Sequence, residues 1–494
     1  MRALSGPWLT LSALVLSLAL QISDGFYHLS TLPWLALALV AALCGVAGVR
    51  WPWGPRDRHA PVTQTLLLVG VVASATALLS KPVAMYMRDA WPWHHLALVV
   101  PVIGAATAAL VGAASRRRVV GTTAAVVVLG AGLWIGTWTI RESPSPRIDV
   151  MPVHQDAFRA LATGSSPYAI TFDDIYAEHE QFYAPEMRDG KRILFGFPYP
   201  PLSLLMAWPG AALFGDLRYA EVAALVIAAW LMIRVRSRRL PGTAHSRLVD
   251  VGPSDGLHGT RSAPWSRGLL CAALLLVAPR VVFQIEQGWT EPFPIVLLAA
   301  TVSVGVTAPR WAWLPLGLLM ASKQHLAVAL LFVPLLSTGT WRAQAWFAAR
   351  AVAVAVAVTL PIALLDWDAF MRSAVLLQLR EPFRMDALSF TRMLVDLEWT
   401  LDKERALALS LGAGLLAIGV SWWRAPRTPA GFAAAVGLTC FLLAAFGKKA
   451  FLNYYFLVVA SFLIAIAADE IPVDDQPAVA TASASNVSGD SRPQ

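Results

Sequence analysis

A polar stretch interrupts an otherwise apolar chain, and this pattern indicates the class of protein. It runs from about residue 141 to 197, with IDV at 148–150, HQD at 154–156 and ATGSSPY at 162–168, and it leads into FPYPPL at 197–202. Apolar runs flank it on both sides, and runs of roughly 17–20 apolar residues are typical of transmembrane helices. We therefore expect a membrane protein with one large polar loop at one face, where a lipid-borne substrate can be reached.

The composition supports this class. The chain has 494 residues, of which 57% are hydrophobic and 14% are charged, whereas soluble proteins carry about 25% charged residues. The runs are apolar on every side, which excludes a β-barrel with its alternating pattern. The net charge is +8, but most basic residues flank the apolar runs, where they set orientation. We therefore expect an all-α polytopic membrane protein that does not bind nucleic acid.

The apolar runs predict about 13–14 transmembrane helices. We place them at about 7–23, 32–49, 63–80, 95–114, 119–140, 218–233, 268–283, 292–308, 314–322, 326–339, 350–365, 406–423, 430–446 and 451–467. Loops rich in arginine favour the cytoplasmic side, and the loops at 50–59 and 116–118 are both of this kind. The N-terminus is then cytoplasmic, and the polar loop that begins at Arg141 is external.

The segment 198–214 is a special case. It is apolar enough to be read as a span, but if 198–214 and 218–233 both crossed, the seven arginines of 234–267 would be external. We therefore expect 198–214, which starts with Pro-Tyr-Pro-Pro, to lie along the outer interface. The segment 314–322 is too short to cross alone, and we expect it to be half of a broken helix that lines a cavity.

Asp149 is the first candidate for chemistry. It follows a predicted span at the outer surface, where a carboxylate can act as a general base or hold a cation. On position alone, a helix N-cap or a solvated loop acid is the alternative. Asp156 lies seven residues further on and shares the face of Asp149 if that stretch is helical. No cofactor is assigned, and a divalent cation at these acids stays open.

These motifs resemble the first external loop of GT-C class glycosyltransferases. The similarity is to the polyprenyl-phosphate-sugar-dependent, family 87 mannosyltransferase-like group, in which an acid follows a span, then an "aLxxGxxPY" motif, then an aromatic-Pro-Pro-Leu stretch that opens a juxtamembrane helix. It covers about residues 119–467. The resemblance implies a catalytic membrane domain there, with an outer loop at 141–217 and a cytoplasmic linker at 234–267. Residues 1–118 would be an N-terminal four-helix extension, and 468–494 a disordered cytoplasmic tail.

The resemblance also implies a role for Asp149, as the base that deprotonates an acceptor hydroxyl. Polyprenyl phosphate is already a good leaving group, so one base and a cationic side chain that binds the phosphate are enough. Three stretches offer such a cation. Lys323, with His325 beside it, interrupts an apolar run; Arg380 and Arg384 lie in a predicted outer loop; and Lys448 precedes the last span. For Lys323 the alternative is a lysine whose side chain snorkels to the interface. For Arg380 and Arg384 it is an ordinary solvated loop, and for Lys448 it is an ordinary lysine at the end of a span.

Aromatic and acidic residues in the outer stretches are candidates for sugar contacts. Trp289 can stack on a sugar face and Glu286 can accept hydrogen bonds from its hydroxyls, although an interfacial aromatic belt also explains Trp289. Tyr168 and Tyr199 belong to these motifs, and Tyr454 follows Lys448 at the start of the last span; all three are further candidates for substrate binding.

We therefore expect a GT-C-like glycosyltransferase in the plasma membrane, with both termini cytoplasmic. It would move a sugar, mannose or alternatively arabinose, from a polyprenyl-phosphate donor to an envelope glycan or glycolipid acceptor at the outer face. The alternative is a transporter or lipid-linked glycan flippase, because broken helices with charged residues at depth also describe transporters.

Overall fold

The structure, a computed structural model, describes residues 3–52, 59–88, 92–176, 182–235, 266–337 and 339–469. Within these ranges, seven helical segments are long and apolar enough to cross a membrane. They correspond to α1 (Gly6–Ser23), α2 (Leu32–Val46, with a preceding 3-10 turn), α3 (His59–Ser80), α4 (Pro92–Ala114), α5 (Arg118–Glu142), α14 (Trp341–Ala363) and α18 (Lys403–Arg424). The chain is an all-α polytopic membrane protein, as predicted. Most of the predicted linker 234–267 and of the predicted tail 468–494 lies outside the described residues.

Shorter helices complete the bundle. They are α7 (Pro201–Phe214), α8 (Arg218–Arg234), α9 (Ser266–Leu276), α11 (Pro292–Thr307), α12 (Trp313–Ser322), α19 (Pro429–Ala445) and α20 (Leu452–Ala468). Their starts follow local rules: the Thr428 hydroxyl accepts a hydrogen bond from the N–H of Gly431, and Pro429 occupies the first turn of α19, where a missing N–H costs nothing.

Small elements gather at one end of the bundle, which we call the cavity end and define by Glu142 and Lys323. The helices among them are α6 (Val150–Ala162), α10 (Val281–Glu286), α15 (Trp367–Phe370), α16 (Leu377–Arg380) and α17 (Phe390–Asp396). Another short helix, α13 (Val333–Leu336), ends the segment that leads away from Lys323. A small antiparallel sheet has the order β1 (Phe172–Asp173), β3 (Arg192–Ile193), β2 (Arg188–Asp189).

Burial separates a protein core from a lipid-facing periphery. Helices α19 and α20 are buried around almost their whole circumference, whereas only 11% of the most apolar window of α14 and 22% of that of α18 are buried inside the protein. A helix that is apolar all round lies either in a protein core or in lipid. The two peripheral helices therefore expose their apolar faces to the bilayer.

The predicted N-terminal extension packs directly on this core. Helix α1 lies against α20, and α3 and α4 lie against α9. At Gly25, whose φ is +78°, a Cβ would lie 2.4 Å from the backbone nitrogen of Leu452. Only glycine allows the chain to turn so close to α20. The domain boundary at residue 118 stays a prediction, but the packing across it is continuous.

Helix α7 begins and ends at the cavity end. Its first residues follow Tyr199, whose ring packs near His154 of α6. After its last turn, the Arg218 guanidinium donates hydrogen bonds to the carbonyls of Ser143, just past α5, and of Glu286, at the end of α10. Since both termini meet residues at the cavity end, α7 does not run from one end of the bundle to the other.

Three predicted spans differ in detail from the structure. The span at 268–283 is interrupted, because Arg280 adopts a left-handed backbone (φ +62°) between α9 and α10. The span at 326–339 is a 3-10 helix, Gln324–Phe332, followed by the short α13. Helix α14 starts earlier than predicted, at Trp341, because Thr340 caps it. The break expected after 314–322 is present: α12 ends at Ser322 and Lys323 is extended.

Candidate active site

A cavity of about 400 Å³ lies at the cavity end of the bundle. Segments far apart in the sequence build it, including the turn after α1, the start of α6, the helix break at Lys323 and the loop before α20. Its charged lining residues in the described ranges are three acids and three bases: Asp149, Glu381, Asp386, Lys323, Arg384 and Lys449. The cavity therefore combines a candidate base with candidate phosphate-binding cations.

Asp149 stands at the N-cap position of α6, but its side chain makes no capping hydrogen bond. One carboxylate oxygen, Oδ2, instead accepts a hydrogen bond from the Tyr183 hydroxyl at 2.5 Å. The backbone N–H of Asp149 donates to the Tyr176 hydroxyl at 3.2 Å. The side chain is half-buried and faces the cavity, so the N-cap alternative does not describe this carboxylate.

Helix α6 holds Asp149 in place through its apolar face. Val150, Val153, His154, Ala157 and Phe158 are buried, at the i, i+3, i+4, i+7, i+8 spacing of an amphipathic helix. The His154 ring donates from Nδ1 to the Val150 carbonyl at 2.8 Å. Burial lowers the pKa of His154 to about 4, so the ring is neutral at pH 7.

Lys323 forms a buried ion pair at the helix break. Its ammonium contacts the Glu291 carboxylate, and the Asn453 amide donates to the same oxygen at 2.8 Å. The Tyr199 and Tyr454 rings lie 5.4 and 5.8 Å from the Lys323 ammonium, within the range of cation–π attraction. Three separate segments thus fix the position of this cation beside the cavity.

Two further cations come from the segment after α16 and the loop before α20. The Arg384 guanidinium pairs with Asp386 at 2.7 Å and lies over the rings of Phe182 and Phe451. The Lys449 ammonium pairs with Glu381 at 2.8 Å. Burial lowers the pKa of Lys449, but the Glu381 carboxylate more than offsets this and holds the pKa above its usual range. Lys449 is therefore charged at pH 7.

Aromatic side chains form much of the wall. They are Phe26, Tyr86, Tyr176, Phe182, Tyr183, Phe195, Tyr199, Trp289, Phe451 and Tyr454. Flat aromatic faces beside hydrogen-bonding groups suit a ring-shaped, hydroxylated ligand, because the C–H face of a sugar packs on aromatic surface while its hydroxyls need polar partners.

Seven of the residues singled out in the sequence line this cavity: Asp149, Tyr199, Trp289, Lys323, His325, Arg384 and Tyr454. Asp149 and Lys323 are more than 170 positions apart in the sequence and Arg384 lies further still, so the fold brings them together.

The other five lie elsewhere. Asp156 pairs with Arg159 on the exposed side of α6, because seven residues carry it about 10 Å along the helix from Asp149. Tyr168 is fully buried, and its hydroxyl donates to the Tyr199 carbonyl at 3.0 Å. Arg380 is exposed at the end of α16 and does not line the cavity.

Glu286 and Lys448 have backbone partners. The Glu286 carboxylate accepts hydrogen bonds from the N–H groups of Met85 and Tyr86, at 2.7 and 2.8 Å. The Lys448 ammonium donates to the carbonyls of Leu379 and Glu381. Both residues hold cavity-forming segments in place instead of facing the cavity.

The sequence reasoning missed Tyr176, Tyr183, Glu381 and Lys449. Glu381 lies between Arg380 and Arg384, and Lys449 is the neighbour of Lys448, so local motifs pointed to the right segments but not to the right side chains. Tyr86 and Phe26 come from the N-terminal region, which the family pattern does not cover. The packing of α1 on α20 and the hydrogen bonds that Met85 and Tyr86 donate to Glu286 place them at the cavity.

A second, larger groove of about 970 Å³ follows the start of α18. Mostly apolar side chains line it, among them Trp399, Leu409 and Leu416, and its charged lining residues within the described ranges are Glu398 and Arg405. The groove holds no base together with a phosphate-binding cluster, so the smaller cavity is the candidate active site. In the part of the chain that the structure describes, no three His, Cys, Asp or Glu side chains gather as a metal-binding group.

Comparison of the chain with protein-family models, with curated proteins and with solved structures finds no match.

Proposed function

We propose that this protein is a GT-C-like integral-membrane glycosyltransferase that uses a polyprenyl-phosphate sugar, with mannose as the preferred donor sugar. The observation that carries the proposal is the convergence of Asp149, Lys323 and Arg384 on one cavity walled by aromatic rings. The motif resemblance supports it independently, because it singles out Asp149 from the order of short motifs alone.

The proposed reaction is a single displacement with inversion. The acceptor hydroxyl gives its proton to the Asp149 carboxylate, and its oxygen forms a bond to the anomeric carbon. The bond from that carbon to the phosphate oxygen breaks, and polyprenyl phosphate leaves with the electron pair. Lys323, Arg384 and Lys449 stabilise the charge that develops on the leaving phosphate.

We place the cavity at the outer face of the plasma membrane, with an envelope glycan or glycolipid as the acceptor. Arginine-rich segments at 116–118 and 234–267 favour the cytoplasmic side. The first directly precedes α5, whose other end, at Glu142, lies at the cavity end.

The test is sugar transfer by purified protein in detergent or nanodiscs with a radiolabelled polyprenyl-phosphate mannose. Asp149→Asn removes the base without changing side-chain size, and we expect turnover to fall at least ~100-fold while donor binding survives. Asp156→Asn, on the same helix but outside the cavity, is the matched control and should keep activity. A fully active Asp149→Asn protein would show that the assigned mechanism is wrong.

One observation favours the alternative of a transporter or flippase. The buried Lys323–Glu291 pair lies at the break between α12 and the 3-10 helix, and charged residues at broken helices are also the substrate and ion sites of transporters. Flux of a labelled lipid-linked sugar across proteoliposomes that is unchanged by Asp149→Asn would favour this alternative.

A further inference from the structure

Tyr183 lies outside every sequence motif, yet it makes the closest side-chain contact of the candidate base. Its hydroxyl donates to Asp149 Oδ2 at 2.5 Å, a short distance typical of a hydrogen bond to a charged oxygen. Among the residues that the structure describes, no other side-chain donor is within hydrogen-bonding distance of this carboxylate. The other oxygen, Oδ1, is left for a ligand in the cavity.

The phenol is a permanent donor. Burial, and then the negative charge of Asp149, hold the pKa of Tyr183 well above its usual range, so the hydroxyl stays protonated. A group that only donates to a carboxylate stabilises the charged form of that carboxylate. It also restricts rotation about the bond that carries the carboxylate.

The local structure holds the phenol in place. Tyr183 precedes β2 and β3, and its ring packs against Phe195, just after β3, at 5.7 Å between centroids. The Tyr176 ring lies 6.0 Å from the Tyr183 ring, but its hydroxyl accepts from the backbone N–H of Asp149 and makes no hydrogen bond to the carboxylate. The two tyrosines thus hold the same residue through different atoms.

We propose that Tyr183 is a positioning residue for Asp149, which fixes one carboxylate oxygen so that the other faces the acceptor hydroxyl. The inference rests on the proposed function, since it deepens the role of the same carboxylate. Tyr183 forms no bond to the substrate in this proposal and acts only through Asp149.

The first experiment compares the pH–rate profiles of Tyr183→Phe and Tyr176→Phe. Loss of the Tyr183 hydroxyl should move the acid limb of kcat/KM to higher pH, because the donated hydrogen bond that favours the charged carboxylate is lost. We also expect kcat on the plateau to fall ~10-fold or more while the KM for the donor is kept, because base orientation is lost and donor contacts are not. Tyr176→Phe is the matched control and should leave the acid limb in place.

A stronger donor should have the opposite effect. Fluorotyrosine at position 183 keeps the ring and the hydroxyl but makes the hydroxyl more acidic, so the acid limb should move to lower pH. This variant also covers the case in which Tyr183→Phe does not fold. An unmoved acid limb in both position-183 proteins, or an equal shift in Tyr176→Phe, overturns the proposal.

A third measurement does not depend on sugar transfer. The pH dependence of carbodiimide labelling at Asp149, followed by peptide mass spectrometry, reports when this carboxylate becomes protonated. The labelling midpoint should rise in Tyr183→Phe and stay in place in Tyr176→Phe. If the midpoint shifts but the protein transfers no sugar, the proposed function is contradicted and the effect of the Tyr183–Asp149 contact is supported. An unshifted midpoint would contradict the effect of the contact itself.

Discussion

Replacing Lys323 by methionine tests whether this lysine has a structural role, a functional role, or both. The side chains of Lys323 and Glu291 are only 7% and 1% exposed. Without the ammonium, the Glu291 carboxylate keeps the Asn453 amide as a partner at one oxygen, while its other oxygen has no hydrogen-bond partner in the described residues. Removing one member of a buried ion pair costs about 3–5 kcal/mol, because an uncompensated charge stays buried.

The measurement is unfolding in mixed micelles with rising SDS, followed by circular dichroism. Lys323→Met should lower the free energy of unfolding by that amount. The double variant Lys323→Met, Glu291→Leu removes both charges, and since an apolar replacement of a buried pair is often neutral, it should lie within about 1–2 kcal/mol of the wild type.

Sugar transfer separates the two roles. In the double variant the fold is restored but the cation is absent, so we expect transfer to stay at least ~100-fold below wild type. Wild-type stability of Lys323→Met alone would refute the argument that Glu291 depends on this cation. Wild-type transfer by the double variant would refute the role of Lys323 in holding the phosphate.

Three further predictions follow from the same geometry. His154 has a pKa of about 4 in the folded protein against 6.5 when unfolded, so the unfolded state binds the proton more readily and stability falls as the pH drops from about 6.5 towards 4. The loss at pH 5 is about 2 kcal/mol, and a His154→Gln series of melts in detergent should lack this pH dependence. Glu381→Gln releases Lys449 from a competing anion and should lower the KM for a phosphate-linked donor by about two- to tenfold, a modest effect because the pair is partly exposed; a raised KM contradicts it. Arg384→Gln should raise that KM at least ~10-fold, whereas Arg380→Gln, outside the cavity, should leave it unchanged.

Local motifs identified the segments of the candidate site better than its side chains. The order of motifs led to Asp149, and the break in an apolar run led to Lys323, since a charge at membrane depth is rare. In the GKK stretch the lysine that lines the cavity is Lys449, and Lys448 instead binds backbone carbonyls. Adjacent side chains point in different directions, and without a regular element the sequence does not tell which one faces inward.

The position of α7 shows what can be predicted from the number of arginines in the loops. Arginine counts alone place 198–214 along one interface, and in the structure Tyr199, before α7, and Arg218, after it, both contact residues of the cavity end. The breaks at Arg280 and in the 3-10 segment were not foreseen. Pro279 and Arg280 mark the first break in the sequence but lie inside what was read as one apolar span, whereas the 3-10 segment after Gln324 and His325 is apolar throughout. Hydropathy measures how well a segment dissolves in lipid, and it carries little information on the backbone angles inside that segment.

The sequence by itself determined that this chain is a helical membrane protein and that Asp149 and Lys323 stand at polar interruptions of it, because apolar run length and the cost of charge in lipid are local properties. Only the tertiary structure decided which side chains share the cavity. Phe26 and Tyr86 reach it because α1 packs on α20 and Glu286 binds the 81–88 segment, and Tyr183 reaches Asp149 across 34 positions of sequence. Such contacts depend on helix packing and loop closure between distant segments, which no local pattern encodes.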